Sequence, residues 1–496
     1  MSQRLKVLFL SAEVAPFAKT GGLADVAGAL PKALASLGHD ARVAMPRYGR
    51  IDPAKFGLVA AVADLAVPMD STSEHVAILR GSLTPAVPVY LVDSPRYFDR
   101  EGIYGYPDDG ERFVLFCRAA LEMLKQLNWQ PDIIHCNDWH TGIVPNWLKT
   151  IYAGDPFFQR TATVFTVHNL QYQGIFGHRI LEIAGIDQYG FIYHPHLAEL
   201  ANVVDLLARG LLFADVITTV SEQYAREILS TEYGERLDPL LRDRQDRLFG
   251  ILNGIDYGEM NPATDPHIAV HYDVQTLEQK VANKLALQRE ANLPQREDVP
   301  VIGTVSRLAD QKGFDLLARI FEDMLNALDM QFVLLGTGDQ HYHNMFGNFA
   351  RQFNKQAAIF LTFNAPLAQK IYAGCDMFLM PSRFEPCGLG QMIALRYGTI
   401  PIVRRTGGLA DTISDFNPRT GEGNGFVFER YHQMDLFAAA VRAIENYKHR
   451  DTWRMLQERG MRADYSWDAS ARKYADLYRK ALHFARDAAP ASAGGG

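Results

Sequence analysis

Short apolar runs bounded by turn residues recur along this chain, with longer helix-like stretches between them. In the amino-terminal half they are 6–12, 41–45, 87–92, 133–136, 162–167 and 216–220; in the other half, 301–305, 331–335, 358–361, 377–380 and 400–403. Runs so short and so uniformly apolar suit strands buried on both faces. Helical patterns such as 112–125 and 365–373 separate many of them. Strand–helix alternation of this kind implies parallel sheets covered by helices on both sides. The series breaks once. Residues 251–266 (ILNGIDYGEMNPATDP) concentrate Gly, Asn, Asp and Pro, and strands resume only near Val301. The expectation is an α/β protein of two doubly wound domains, 1–254 and 255–465. A helical segment at 466–486 follows, and then a small-residue tail at 487–496 that is expected to be disordered.

The sequence TGGLAD occurs twice, at 20–25 and 406–411, each time after an apolar run and a basic residue, Lys19 or Arg405. Paired glycines between a strand and a helix permit a tight turn and let a ligand reach bare backbone. Free N–H groups at a helix start attract anions. One such loop in each half suggests two domains facing a shared anionic substrate.

Composition narrows the function. The chain has 496 residues, 48% of them hydrophobic and 22% charged, so each domain has material for a core. A formal net charge of −7 without a basic half argues against nucleic-acid binding. The four cysteines lack CxxC or metal-ligand spacing, which suits a reducing compartment. The first residues, MSQRLKVLFLSAE, read as a strand and not as a signal peptide, and no run approaches a membrane span. A soluble, cytoplasmic protein without membrane partners is expected.

Candidate chemistry clusters at the ends of the strand-like runs. After 377–380 comes PSRFEPCGLGQ, which places Glu385 at a strand end and a Gly388–Leu389–Gly390 turn before a helix. That carboxylate could support a cationic centre while the turn holds phosphate. In GTVSRLADQKG, Arg307 and Lys312 could neutralise a diphosphate leaving group. HCNDWH supplies Asp138, Trp139 and His140; TVHNLQYQG supplies His168, Asn169 and Tyr172; residues 95–110 are aromatic and acidic. Aromatic faces among carboxylates and amides suit a sugar. His194 with His196 and His341 with His343 lack a ligand framework, and there is no Asp-x-Asp, so no catalytic metal is expected. Neither a Walker pattern nor a GxGxxG after the first strand is present, against a P-loop nucleotidase or a dehydrogenase.

KTGGLADV, HCNDWHTG, TVHNLQYQG, NGID, RLADQKG, SRFEPCGLGQ and RRTGGLADT, in this order and spacing, resemble the bacterial glycogen synthases and plant starch synthases over nearly the whole chain. The resemblance implies two Rossmann-like domains around a deep cleft, the GT-B architecture. It implies transfer of glucose from ADP-glucose to the non-reducing end of an α-1,4-glucan, with retention and without a metal or other cofactor. It places Lys19 and Gly22 near the donor diphosphate and sugar, with Arg307 and Lys312 on the phosphates. His168 would contact the transferred glucose, Asp138 would orient sugar hydroxyls, and Glu385 would hold the glucose and support its developing charge. Cys387, Gly388 and Leu389 would line the sugar and phosphate pocket. Trp139, Tyr172 and Tyr97 would touch the acceptor glucan, and the helix at 466–486 would cross back to pack on the first domain.

Two departures bear on specificity. Phe363 stands where the family often has a tyrosine able to stack on adenine, and Gly390 stands where many relatives have Thr. The rival readings are UDP-glucose as donor, a short maltooligosaccharide primer as acceptor, a phosphorylase, or a non-catalytic glucan-binding paralogue. Lys19, Arg307, Lys312 and Glu385 together argue against the last, because a pure binder needs no diphosphate clamp. A phosphorylase would need a cofactor lysine site, which is not identifiable. A plastid stroma is the alternative compartment if a transit peptide has been removed.

Overall fold

The computed structural model describes residues 4–487, so most of the expected tail, from 488 on, lies outside the described residues. The chain divides into two compact units. One comprises the residues up to Leu252 together with those from Trp467 on, and the other is Asn253–Ser466. The expected crossings were at 254 and 465.

The first unit holds strands β1 (Lys6–Leu10), β2 (Asp40–Pro46), β3 (Val59–Met69), β4 (Thr72–Thr84), β5 (Val87–Asp93), β6 (Ile133–Asn137), β7 (Ala162–Val167), β8 (Ile175–Phe176), β9 (Val204–Asp205), β10 (Val216–Thr219) and β11 (Leu248–Gly250). Its main sheet runs β11-β10-β7-β6-β1-β2-β5-β4-β3, and β8 pairs only with β9. Pairing is parallel from β11 to β5. At the far edge β3 and β4 add an antiparallel hairpin. The central strands are buried throughout, as the apolar runs require: every residue of β6 and β7 is buried, and β1 exposes only Lys6.

The second unit holds β12 (Val301–Val305), β13 (Gln331–Leu335), β14 (Ala357–Phe360), β15 (Met377–Met380), β16 (Ile400–Arg404) and β17 (Phe426–Phe428). The order β14-β13-β12-β15-β16-β17, all parallel, is the 3-2-1-4-5-6 arrangement of a Rossmann sheet. In such sheets ligands bind beyond the strands' carboxyl ends where the order reverses. That point lies between β1 and β6 in the first unit and between β12 and β15 in the second.

The long helix Trp467–Asp487 belongs to the first unit's core. It buries Trp467, Tyr474 and Tyr478 and packs on the helix Gly22–Ser36. Tyr478 shares a 2.8 Å hydrogen bond with Nδ1 of His135, whose Nε2 reaches Thr166 Oγ1 at 2.6 Å. The carboxyl-terminal helix thus braces both the helix that starts at Gly22 and the strand that ends just before Asp138. Among the described residues, no helix is long and apolar enough to cross a membrane.

Candidate active site

In the second unit the loops after β12 and β15 bring Lys312 and Glu385 together. Lys312 Nζ donates to Glu385 Oε1 at 2.9 Å and Oε2 at 2.7 Å, and Ser382 Oγ donates to Oε2 at 2.9 Å. Glu385 is 5% exposed, and Lys312 and Ser382 supply the hydrogen bonds that a buried carboxyl group requires. An ammonium has three protons. Two are directed at Glu385, which leaves a third for an incoming anion. Arg307 is exposed on the same loop as Lys312, and its guanidinium has no hydrogen-bond or ion-pair partner among the described residues.

Next to Glu385 the chain turns through Gly388, with φ at +71°, into the helix Gly390–Arg396. Cys387 is buried and its thiol is pushed up to about 12 by burial, so it lines the turn without supplying a nucleophile. Gly388 and Leu389 stay half-buried. A Cβ at Gly390 would come within 2.9 Å of the Phe378 ring, so this position leaves little room for the family's threonine. Phe363 precedes the helix Ala365–Gly374 and is 84% exposed, free to stack.

The second TGGLAD copy does not serve as the anion cradle expected of it. Gly407 and Gly408 are buried beneath the Glu385–Cys387 backbone, and the N–H of Gly408 donates to the carbonyls of Glu385 and Pro386 at 3.1 and 3.2 Å. Gly407 has φ at +44°, and an added Cβ would lie 1.9 Å from the Glu385 carbonyl oxygen; one at Gly408 would lie 1.9 Å from that of Cys387. The glycines here admit a strut under the site loop.

The first copy is built differently. Around Gly21 and Gly22 an added Cβ would meet nothing within 4 Å. Yet two of its backbone N–H groups are already taken. Those of Thr20 and Gly21 donate to the carboxylate of Glu13, which corrects the expectation that this loop offers them freely. Lys19 remains at the surface, where its ammonium pairs with Asp25 at 2.6 Å.

Asp138 follows β6 with φ at +55° and ψ at −178°, a region that is nearly glycine's alone and that stores about 1–3 kcal/mol of strain in other residues. Its N–H donates to Thr166 O, and its Oδ1 accepts the N–H of His168 at 2.8 Å. Burial pushes its carboxyl up to about 7, with Glu13's negative charge adding to the shift against the hydrogen bonds it accepts. Nε2 of His168 donates to Asn137 Oδ1 at 2.9 Å, the amide being oriented by Nδ2 donating to Leu10 O. Burial holds this imidazole down to about 3, so it is neutral at physiological pH and keeps Nδ1 as an acceptor.

Two expected acceptor contacts are withdrawn. Trp139 is 9% exposed, wedged between Phe113, His140 and Phe176, and Gly174 passes against its ring. Tyr97 is 2% exposed and donates to Glu111. Both are core residues, and only Tyr172, 51% exposed, remains at the surface.

Two long stretches of the chain match known families. Residues 6–243 match the family model "Starch synthase catalytic domain", and 288–459 match "Glycosyl transferases group 1". The glycogen synthase of Moorella thermoacetica is 52% identical over 98% of this chain and 99% of its own length. That of Thermotoga maritima is 48% identical over 96% of this chain and 99% of its own. The chain belongs to the glycogen and starch synthase family.

Among solved structures, the catalytic domain of starch synthase IV from Arabidopsis thaliana, bound to ADP and acarbose, superposes with a TM-score of 0.88 at 35% identity, covering 97% of this chain and all of that one. A sucrose-phosphate synthase from Thermosynechococcus elongatus, at 17% identity and a TM-score of 0.59, shares the fold alone. The fold is GT-B, and the protein is a hexosyltransferase of this family. Sequence reasoning passed over Glu13, Tyr104, Asn137 and Ser382. Glu13 and Asn137 carried a usable signal, each being polar at or just past the end of an apolar strand. Among the described residues no three His, Cys, Asp or Glu side chains gather as a metal site would require.

Proposed function

We propose that this chain transfers glucose from ADP-glucose to the non-reducing end of an α-1,4-glucan, retaining configuration, in glycogen or starch synthesis. The observation that carries the reading is the Lys312–Glu385 pair at the β12–β15 switch point, with the unpartnered Arg307 beside it. Arg307 and the third ammonium proton of Lys312 neutralise the departing diphosphate, and the Glu385 carboxylate stabilises the positive charge that grows on the glucose. The bond from glucose C1 to the diphosphate oxygen breaks, and the acceptor hydroxyl joins C1 on the same face while its proton passes to the leaving phosphate. Neutral His168 accepts from a sugar hydroxyl, and Asp138 orients its neighbours. Lys19 adds charge near the diphosphate and Tyr172 a surface for glucan. Phe363 stacks on the base without a phenolic hydrogen bond. The ADP bound to the related starch synthase IV supports adenine as that base.

We assign no cofactor and no metal, and we place the protein in the cytoplasm, a compartment that suits four free buried thiols. The experiment is incubation with radiolabelled ADP-glucose or UDP-glucose and glycogen, with and without EDTA, scoring label in precipitated polymer. Label from ADP-glucose undiminished by EDTA supports the reading. Label from UDP-glucose alone would reassign the donor, and loss in EDTA restored by Mg²⁺ would overturn the metal-free mechanism.

A further inference from the structure

Glu13 is 4% exposed, and its carboxylate is fully engaged. Oε2 accepts from the N–H of Thr20 and, at 3.0 Å, from that of Gly21; Oε1 accepts the Tyr104 hydroxyl at 2.6 Å. Gly21 is the N-cap of the helix Gly22–Ser36, which has no capping side chain of its own. Glu13 therefore supplies from upstream the anion that a Ser or Asp cap would supply locally.

The remaining contacts of the loop stop short of Lys19. Val14 and Ala18 exchange backbone hydrogen bonds at 3.1 and 3.0 Å, and Ala15 N–H donates to Ala24 O at 3.0 Å. Beyond Ala18, Gly21 and Gly22 face open space, and among the described residues the Lys19 ammonium pairs with Asp25 alone, through a surface ion pair of the kind that contributes little. Tyr104 is itself fixed. Asp109 Oδ2 accepts from the N–H groups of Gly105 and Tyr106, and Asp109 Oδ1 accepts from Arg112 Nη1 at 2.8 Å. The Arg112 guanidinium lies among the rings of Tyr48, Phe98, Tyr106 and Phe113.

We propose that Glu13 is a positioning residue that fixes Lys19: its carboxylate is the resident acceptor at the helix start, so the Lys19 ammonium, and not the N–H groups of Thr20 and Gly21, meets the anionic part of the donor. The inference rests on the reading of Lys19 as a donor contact. The two N–H groups filled by the protein's own carboxylate, those of Thr20 and Gly21, cannot also bind a phosphate. It can present a lysine in one place.

The test uses the full chain. Glu13→Gln keeps the shape but removes the charge: its amide oxygen accepts less strongly from the two N–H groups, and the Tyr104 hydroxyl must turn from donor to acceptor. Hydrogen exchange at Thr20 and Gly21 should accelerate about tenfold or more, with the β1 amides unchanged. Turnover should fall about tenfold to a hundredfold, and Glu13→Gln in a Lys19→Ala background should add no more than about threefold, because both act through one side chain. Should Glu13→Gln fail to fold, Tyr104→Phe, which removes one hydroxyl, should still speed exchange at the same two amides severalfold. Unchanged exchange at Thr20 and Gly21, or losses that multiply in full in the double variant, overturns the proposal. A wild-type protein that transfers no glucose from either nucleotide sugar defeats the functional reading instead, and the exchange result still decides the role of Glu13.

Discussion

Glu385 sits at a strand's carboxyl end with Lys312 and Ser382 on its oxygens, so its substitution has two separable effects. Glu385→Gln keeps a hydrogen-bonding group of the same size but removes the charge that matters as the glucosyl cation forms. Turnover is expected to fall on the order of 10²-fold or more with little change in melting temperature. Glu385→Ala should lose the same turnover and also stability, because Lys312 is left charged and unpaired. Steady-state rates and calorimetry on the two variants separate the effects; a Gln variant within tenfold of wild type would remove Glu385 from its role. Asp138 gives a pH signature. Its carboxyl is pushed up to about 7, so it gains charge as pH rises through neutrality, and a role as acceptor of sugar hydroxyls needs that charge. The expected kcat/KM rises with pH to a plateau above about 8, and this limb is absent in Asp138→Asn. His168, held down to about 3, adds no step near its usual range. At this scale the sequence displayed the reactive groups but not their partners. Glu385 stood out as a carboxylate after an apolar run, whereas its pairing with Lys312 spans 73 residues and that of Glu13 with Tyr104 spans 91, which no local pattern encodes.

The two TGGLAD elements show that identical residues can do opposite work when their surroundings differ. The same substitution therefore has opposite signatures in the two copies. Gly408→Ala drives a Cβ to 1.9 Å from the Cys387 carbonyl oxygen, so the site loop must shift. The expected result is a stability loss of about 1–3 kcal/mol or more, together with a loss of turnover above tenfold. Gly22→Ala meets nothing within 4 Å and occupies the first helical position, so stability should hold or rise by a few tenths of a kcal/mol. Turnover alone should fall if the donor approaches this backbone. Denaturant melts and initial rates on both variants decide it, and equal destabilisation in the two copies would refute the assignment of strut and open loop. Other elements follow a similar logic. The buried central strands were legible because both faces are apolar. The β3–β4 hairpin was not, since an edge position leaves about half its residues exposed and β3 reads as an Ala-rich run containing Pro68. β11 and β17 are three residues each, too short for any periodicity to register.

At the scale of the whole chain, the second unit is one continuous segment, while the first is assembled from two pieces separated in sequence. The returning helix Trp467–Asp487 is the smaller piece; its helical pattern was readable from the residues, but its return to the first domain was implied only by the family resemblance, because the contacts it makes are with the helix Gly22–Ser36, β7 and β10, hundreds of residues earlier. Its Trp467, Tyr474, Leu477 and Tyr478 are buried in the first unit's core. At about 1.5–3 kcal/mol for each large side chain, these four contribute roughly as much as the net stability of a typical domain. A chain ending at Ser466 should therefore lose the first unit and keep the second. Calorimetry should show the intact protein's first-unit transition missing from the truncated chain and the second-unit transition retained. Hydrogen exchange should show β12 to β17 protected and β1 to β7 exchanging freely. Glucosyl transfer should vanish, because Lys19, Asp138 and His168 lie on loops of the unit that no longer folds. ADP binding should persist to a measurable degree, since Arg307 and Lys312 remain on a folded sheet. Protection of β1 to β7 in the truncated chain would mean that the first unit holds its core without the helix, and the side chains counted here would then be coverings of that core and not part of what folds it.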